Sequence, residues 1–400
     1  MTKILLVDEV KVVNYAGGIE KVLCDFSNEF VKRNYNVDFV CLDLEKGMPF
    51  YKLSDRVNFV NLYYEYGQYN KLKYLWKKLQ KEFLRGIYGK DFYLKNIRDP
   101  KRIFFEKEFI NRLSRYISSN MPDIIICTSG DSGYFIKMSL EKLKIKIPYI
   151  VQCHIDAHRW YDFLQKHQLE AWKDAAFGQV LLESYVPIIK NAGIEKVIAI
   201  PNVVWPVSKN ERANLNICHN TIISVGRVER SQKRHYLLID AFAKIAKAFP
   251  DWVVKIYGEI DDLNYKKELE NKIAENHLER RIILCGAVKN IKAVLKEADI
   301  FAFPSSWEGF GLALTETMSF GLPSIGFRSA AAVNELIENN KTGFLVDDGV
   351  DDFADKLCIL MKDKDLRINF GENAVVSIQK YSPKLVYDKW ESEIKKVLNN

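Results

Sequence analysis

The chain has 400 residues, 48% of them apolar and 28% charged, with a formal net charge of +7 at pH 7. That length exceeds the usual single domain and that composition excludes a disordered or fibrous chain, so two globular domains are expected. No apolar run reaches the ~18–20 residues of a membrane span, and the seven cysteines are scattered without Cys-x-x-Cys spacing, as in a reduced cytoplasmic protein rather than a disulfide or zinc scaffold.

The first predicted element is a strand over 3–8. Its apolar run breaks at Asp8, too early for a signal-peptide core. Gly17-Gly18 turns the chain into a helix of about 17–33, and a strand over 37–42 follows. The glycine pair is not a G-x-G-x-x-G fingerprint, and such pairs mostly make turns. Between a first strand and a helix, it would also let a phosphate or an acceptor approach the backbone.

A long insertion, about 45–118, comes next. Its residues 71–115 hold 14 Lys or Arg against 5 Asp or Glu, interleaved with Tyr74, Trp76, Phe83, Tyr88, Phe92, Tyr93, Phe104 and Phe105. One reading is solvated helices whose aromatics enter the core. The other is a basic, aromatic-rimmed face for an anionic membrane surface or a lipid-linked phosphate. No nucleic-acid motif accompanies the charge.

Beyond the insertion the pattern predicts strand 123–127, helix 132–144, and strands 148–153, 179–182 and 197–200. His154 ends the second of these strands. His154 and His158 have His-x3-His spacing but lack the Glu of a zinc-protease helix and a third ligand, so His158 reads as structural and His154 as either structural or a substrate contact. Ser184 has no G-x-S-x-G around it.

Segment 203–219 is polar and aperiodic, the best linker. The second half then alternates again: strand 221–225, helix 235–249, strand 252–257, helix 265–277, strand 281–285, helix 289–298, strand 299–303, helix 311–320 and strand 323–327. Such alternation implies an α/β chain of parallel sheets covered on both faces. The expected division is two Rossmann-like domains, 1–202 and 203–381, and a closing helix, 382–400, with Ser382 as N-cap and Pro383 at its first position.

Two constellations in the second domain carry chemistry. Gly226-Arg227 ends a strand, and Lys233 stands at a helix start, where a cation opposes the helix dipole and points to an anionic partner. In Pro304-Ser305-Ser306-Trp307-Glu308-Gly309-Phe310-Gly311-Leu312, continuing to Glu316, a strand passes through a glycine-rich turn into a helix whose free N–H groups suit a diphosphate. Glu308 and Glu316 beside an anion site make sense as acceptors of hydroxyl hydrogen bonds.

These residues resemble the retaining glycosyltransferases of family 4, which have the GT-B fold. The resemblance rests on Gly226-Arg227, Lys233 before Leu237-Leu238-Ile239-Asp240-Ala241-Phe242, the stretch 304–323 with its Glu–seven–Glu spacing, and Gly343-Phe344-Leu345-Val346. It implies that Arg227 and Lys233 bind a donor diphosphate, that Glu308 contacts the donor sugar, and that Glu316 holds the ribose. The backbone at Gly226, Phe310, Gly311 and Leu312 would meet the phosphates. Gly17, Gly18 and His154 would line the cleft from the first domain, and the last helix would pack back on that domain.

Three departures stand out. Lys233 follows Arg227 by six residues where five is usual, so that Arg230 could share its task. Ala331-Ala332 replaces a glycine pair near the donor sugar, and Gly258-Glu259 lacks a second glycine. The resemblance implies a nucleotide-sugar donor, a saccharide or lipid-linked acceptor and no obligatory metal or other cofactor. A cytoplasmic enzyme of polysaccharide or glycolipid synthesis is expected, with peripheral membrane contact through 71–115. A GT-B sugar-nucleotide epimerase and a non-catalytic partner subunit are the alternatives.

Overall fold

The computed structural model describes residues 1–9, 11–67, 71–89, 92, 97 and 99–399. Two compact units account for the chain. The first is Met1–Val180, Val186–Ala199 and Trp390–Asn400; the second is Leu181–Tyr185 and Ile200–Lys389.

The first unit is built on a seven-stranded sheet. Its strands are β1 (Lys3–Asp8), β2 (Asn36–Cys41), β3 (Asn58–Asn61), β4 (Ile124–Cys127), β5 (Tyr149–Cys153), β6 (Phe177–Val180) and β7 (Val197–Ala199). They run in the order β3-β2-β1-β4-β5-β6-β7 with every pairing parallel. Ile4, Leu5, Leu6 and Val7 of β1 are fully buried, the signature of a strand covered on both faces. The first turn of the following helix, Gly18–Lys32, starts directly at the glycine pair.

The second unit repeats the plan with β8 (Thr221–Val225), β9 (Val253–Tyr257), β10 (Ile282–Gly286), β11 (Ile300–Phe303), β12 (Ser324–Phe327) and β13 (Gly343–Val346). The order is β10-β9-β8-β11-β12-β13, again all parallel. The helix His235–Ile245 buries Leu238, Ile239 and Phe242, which share one face at helical spacing, against Ile222, Val254 and Ile300 of the sheet. Both units are Rossmann-like α/β sheets, as the alternation of elements predicts.

In each sheet the chain winds outward in two directions from its first strand. Crossovers therefore diverge between β1 and β4, and between β8 and β11. A crevice opens there at the carboxyl ends of the strands.

The departures from expectation have local causes. Strand β3, inside the insertion, carries little strand signal, because only Phe59 and Val60 are apolar between two asparagines; it is a half-buried edge strand. Strand β6 lies at Phe177–Val180 rather than 179–182. Gly178, which reads as a breaker, is a strand residue whose missing Cβ makes room for the Trp172 ring. Leu181 and Leu182 therefore leave the first sheet and join the second unit. The helices Ala157–Phe163, Lys166–Asp174 and Val186–Asn191 are too short to show a period, and none was expected. The final helix runs Pro383–Asn399. From Trp390 it belongs to the first unit, where the Trp390 ring lies 5.4 Å from Phe26 and Arg33 reaches Glu391 at 2.8 Å.

Within the basic stretch, residues 90, 91, 93–96 and 98, Tyr93 among them, lie outside the described residues. Of the other aromatics, Trp76, Phe83, Tyr88 and Phe92 are exposed, so the expected burial in a core does not hold for them. Among the described residues no helix is long and apolar enough to cross a membrane.

Candidate functional site

In the second unit, Gly226 and Arg227 follow β8 and Glu308 follows β11, so they flank the point where the crossovers diverge. The side chain of Lys233 spans between them. Its Nζ lies 2.5 Å from Glu308 Oε1 and 4.9 Å from the centre of the Phe303 ring. The pair is shielded, with the Lys233 side chain 12% exposed and the Glu308 side chain 9%.

Gly226 explains how the lysine gets there. A Cβ at this position would stand 2.8 Å from Lys233 Cε, so the absence of a side chain clears the lysine's path. Gly226 also has φ +157°. The anionic partner that a lysine at a helix start calls for is, in this structure, Glu308.

Three residues that the sequence did not mark hold this arrangement. Glu229 gathers the extra-long loop: Oε1 accepts from the backbone N–H groups of Gln232 and Lys233, and Oε2 from the Ser231 hydroxyl at 2.8 Å. Burial alone would raise its pKa, but those donors outweigh it and hold the carboxyl below its usual value. Arg234 takes a left-handed conformation (φ 46°) at the cap of the next helix. Its guanidinium donates to the backbone oxygens of Pro304 at 3.0 Å and Ser305 at 3.3 Å, and pairs with Asp348 at 2.8 Å. Tyr185, fully buried, donates its hydroxyl to the Glu308 backbone oxygen at 2.8 Å. The loop is further stitched to the turn by Ser306 N–H on Gln232 O (2.8 Å) and Ser306 Oγ on Ser231 O (2.7 Å).

Arg230 lies elsewhere, against Glu268 and over the Tyr265 ring. It does not stand beside Lys233. Arg227 is exposed, and its guanidinium makes no hydrogen bond or ion pair with the described residues.

Gly311, with φ +82°, is the N-cap of the helix Leu312–Ser319 and supplies no side chain to cap it. Its carbonyl takes Thr315 N–H at 3.0 Å, so the N–H groups of the first turn face the β8–β11 end without a side-chain partner. Phe310 is buried edge-on against Tyr381, 5.3 Å between rings, which fixes the turn before the helix. Glu316 is half-buried one helical turn further in. Ala331 and Ala332 start the helix Ala331–Leu336, whose Glu335 accepts from the Ser184 hydroxyl at 2.6 Å.

The unit 2 cluster can therefore present one shielded cation, one free cation and a helix N-terminus to a single anion, with a carboxylate beside them.

In the first unit, Gly17 and Gly18 stand at the equivalent divergence, between β1 and β4, and His154 follows β5. A Cβ on Gly17 would overlap the Glu20 carboxylate, which folds back over the turn. Burial pushes the Glu20 carboxyl up to about 7, opposed by its own backbone N–H and reinforced by the charge of Asp8. Glu9 is pushed up to about 8 by burial and by Asp8, and accepts from Ser129 Oγ at 2.8 Å. His154 is held down to about 4 by burial, and its Nε2 sits 3.2 Å from Gln152 Oε1, so it is neutral at pH 7. These are groups that exchange hydrogen bonds with hydroxyls. Glu9 and Glu20 were not singled out in the sequence, although charged residues hard against a buried strand and a glycine pair are a usable signal.

The Glu20 shift has a testable sign. Its folded-state pKa lies above the unfolded value, so the native state binds more protons between them, and stability falls as pH rises through about 4.5 to 7. Glu20→Gln, which cannot ionise, should melt level with the parent near pH 4.5 and several degrees above it at pH 8. A shift of this size corresponds to roughly 3 kcal/mol. Parallel melting curves at both values of pH check it, and an equal or lower midpoint at pH 8 removes the assignment.

Residues 208–376 match the family model described as glycosyl transferases group 1. A protein of Haemophilus influenzae named uncharacterized glycosyltransferase is 24% identical over 386 residues, covering 95% of this chain and 96% of that protein. The poly(ribitol-phosphate) alpha-N-acetylglucosaminyltransferase of Staphylococcus aureus is 27% identical over 323 residues, 76% of this chain and 61% of that protein. Among solved structures, Anabaena Alr3699/HepE in complex with UDP-glucose superimposes with a TM-score of 0.72 at 17% identity, covering 99% of this chain and 100% of that one.

Proposed function

We propose that this chain of GT-B fold is a group 1 glycosyl transferase, and that it moves a sugar from a nucleotide-sugar donor to a saccharide or lipid-linked saccharide acceptor with retention of configuration. The observation that carries the reading is the Lys233–Glu308 pair, set at the strand divergence beside an uncapped helix start and the free guanidinium of Arg227.

In this reading the donor diphosphate lies between Arg227, Lys233 and the first turn of Leu312–Ser319. As the bond between the sugar's anomeric carbon and the phosphate oxygen breaks, negative charge grows on that oxygen, and these fixed donors meet it. An ammonium has three N–H groups. One serves Glu308, and two remain for phosphate oxygens. Glu308 then acts twice, aiming the ammonium and accepting from a donor-sugar hydroxyl, while Glu316 holds the ribose. No side chain here presents itself as a covalent nucleophile. The acceptor oxygen attacks the anomeric carbon on the face the phosphate leaves, and the leaving phosphate takes the acceptor proton.

The name of the Staphylococcus aureus relative supports a polymeric acceptor, and UDP-glucose in a structural neighbour makes uridine diphosphate sugars the first donors to try. The test is a thermal-shift screen of UDP-, GDP- and ADP-sugars on the parent and on Arg227→Ala. A donor at a hundred times its Kd adds about 2.7 kcal/mol of apparent stability. One nucleotide should raise the parent's midpoint by several degrees and leave Arg227→Ala almost unmoved. If no nucleotide raises it, the donor site is misassigned. A time course by NMR without acceptor separates transfer from epimerisation, because an epimer of the donor sugar would appear only in the second case.

A further inference from the structure

The helix Lys71–Tyr88 in the first unit is amphipathic in the inverse sense. Leu75, Trp76, Leu79, Phe83 and Ile87 recur at spacings of one, three and four residues and cover about a third of the helix circumference. All five are half exposed or more: Leu75 51%, Trp76 67%, Leu79 57%, Phe83 67% and Ile87 57%. The side facing the protein is mostly polar: Tyr74, Lys77, Lys81 and Arg85 are half-buried there, with Leu84 among them. Lys81 pairs with Asp99 at 2.6 Å, and Tyr74 lies under Lys101 (5.3 Å) and 6.5 Å from Phe104, so the helix docks on Pro100–Asn120 through its charged and phenolic groups. A surface helix of a water-facing domain has the opposite arrangement.

We propose that this apolar stripe is a docking face for an anionic lipid bilayer. The charge around it selects that occupant. The helix carries five lysines and one arginine against the single acid Glu82, which is already paired with Arg85. Lys78 falls exposed on a flank of the stripe, where its ammonium reaches lipid phosphates while the apolar side chains enter the acyl boundary. Trp76 stands in that boundary, where an amphipathic indole is favoured. A second copy of the chain fits less well, since two such stripes pressed together would oppose their lysine rims. The docking is independent of the glycosyl-transfer reading, because neither the donor nor any residue of the second unit takes part.

The test is flotation of the full chain with vesicles, without nucleotide. The parent should bind phosphatidylglycerol-rich vesicles at least about tenfold better than pure phosphatidylcholine vesicles, with binding that weakens as salt rises. Leu79→Glu with Phe83→Glu should abolish it. These side chains face solvent, so the variant's melting curve should match the parent's. Quenching of tryptophan fluorescence by brominated lipid gives a readout on the folded parent: it should occur and fall sharply in Trp76→Phe. The proposal is overturned if the parent ignores phosphatidylglycerol, if the double variant floats as the parent does, or if quenching is unchanged in Trp76→Phe. It is equally overturned if the stripe proves to join two copies, seen as a concentration-dependent dimer that the double variant dissolves without any vesicle binding.

Discussion

Lys233→Ala should lower kcat/KM by about 10²–10³-fold, ~3–4 kcal/mol in the barrier, the loss that follows removal of one preorganised donor from a developing negative charge. The geometry explains why no neighbour can substitute. The lysine stem crosses the gap left by Gly226 and ends 2.5 Å from Glu308. Arg230 is occupied by Glu268, and Arg234 by the backbone of the same turn. The variant also leaves Glu308, 7% exposed, without its counter-cation, so its melting point should fall by a few degrees.

Glu308→Ala should be nearly as severe, because an unaimed ammonium loses its preorganisation. The double variant should be little worse than either single one, as for groups that act as a unit. Initial rates with saturating acceptor give all the arms of the cycle. A Lys233→Ala enzyme within threefold of the parent would exclude the lysine from catalysis, and losses that multiply would separate the two roles.

Gly258→Val should be among the most damaging substitutions of a single glycine, costing upwards of about 4 kcal/mol and ten or more degrees of melting temperature in the second unit. A Cβ at this position would fall on the Gly226 carbonyl oxygen, which cannot swing aside as a side chain end can. The backbone around it is committed: Gly226 N–H donates to Tyr257 O at 2.9 Å, Gly258 N–H to Gly286 O at 2.9 Å, and Val228 N–H to Glu259 O at 2.8 Å. Gly286→Ala is the control. There φ is +69° and nothing lies within 4 Å of the new methyl, so only the left-handed backbone cost of about 1–2 kcal/mol applies. Calorimetric melts of the two variants check the order, and a Gly258→Val protein that melts with the control removes the steric argument.

What the sequence disclosed depended on how local each cause was. Strand β8 is legible at both ends because Gly226 closes a run in which four of five residues are β-branched. Strand β6 was displaced because the reason for Gly178 is a tryptophan ring, not a turn. In the site, the elements bearing Arg227, Lys233 and Glu308 were legible from strand ends and spacing. Their supports were not. Tyr185 meets Glu308 across 123 positions of sequence, and Arg234 meets Ser305 across 71, so nothing near either residue announces the bond. The basic stretch shows a third kind of failure. Its charge was countable, but periodicity states only that a helix has an apolar side, not which way that side points.

Residues 181–185 bear on how the gene can be cut. The polypeptide passes between the units after residues 180, 185, 199 and 389. A fragment starting at residue 200 therefore lacks the phenol that holds the Glu308 carbonyl and the hydroxyl that meets Glu335. Chimeras joined at residue 200 with a relative would take Tyr185 from one parent and Glu308 from the other. A cassette exchanged between relatives has to include this five-residue loop along with the second half.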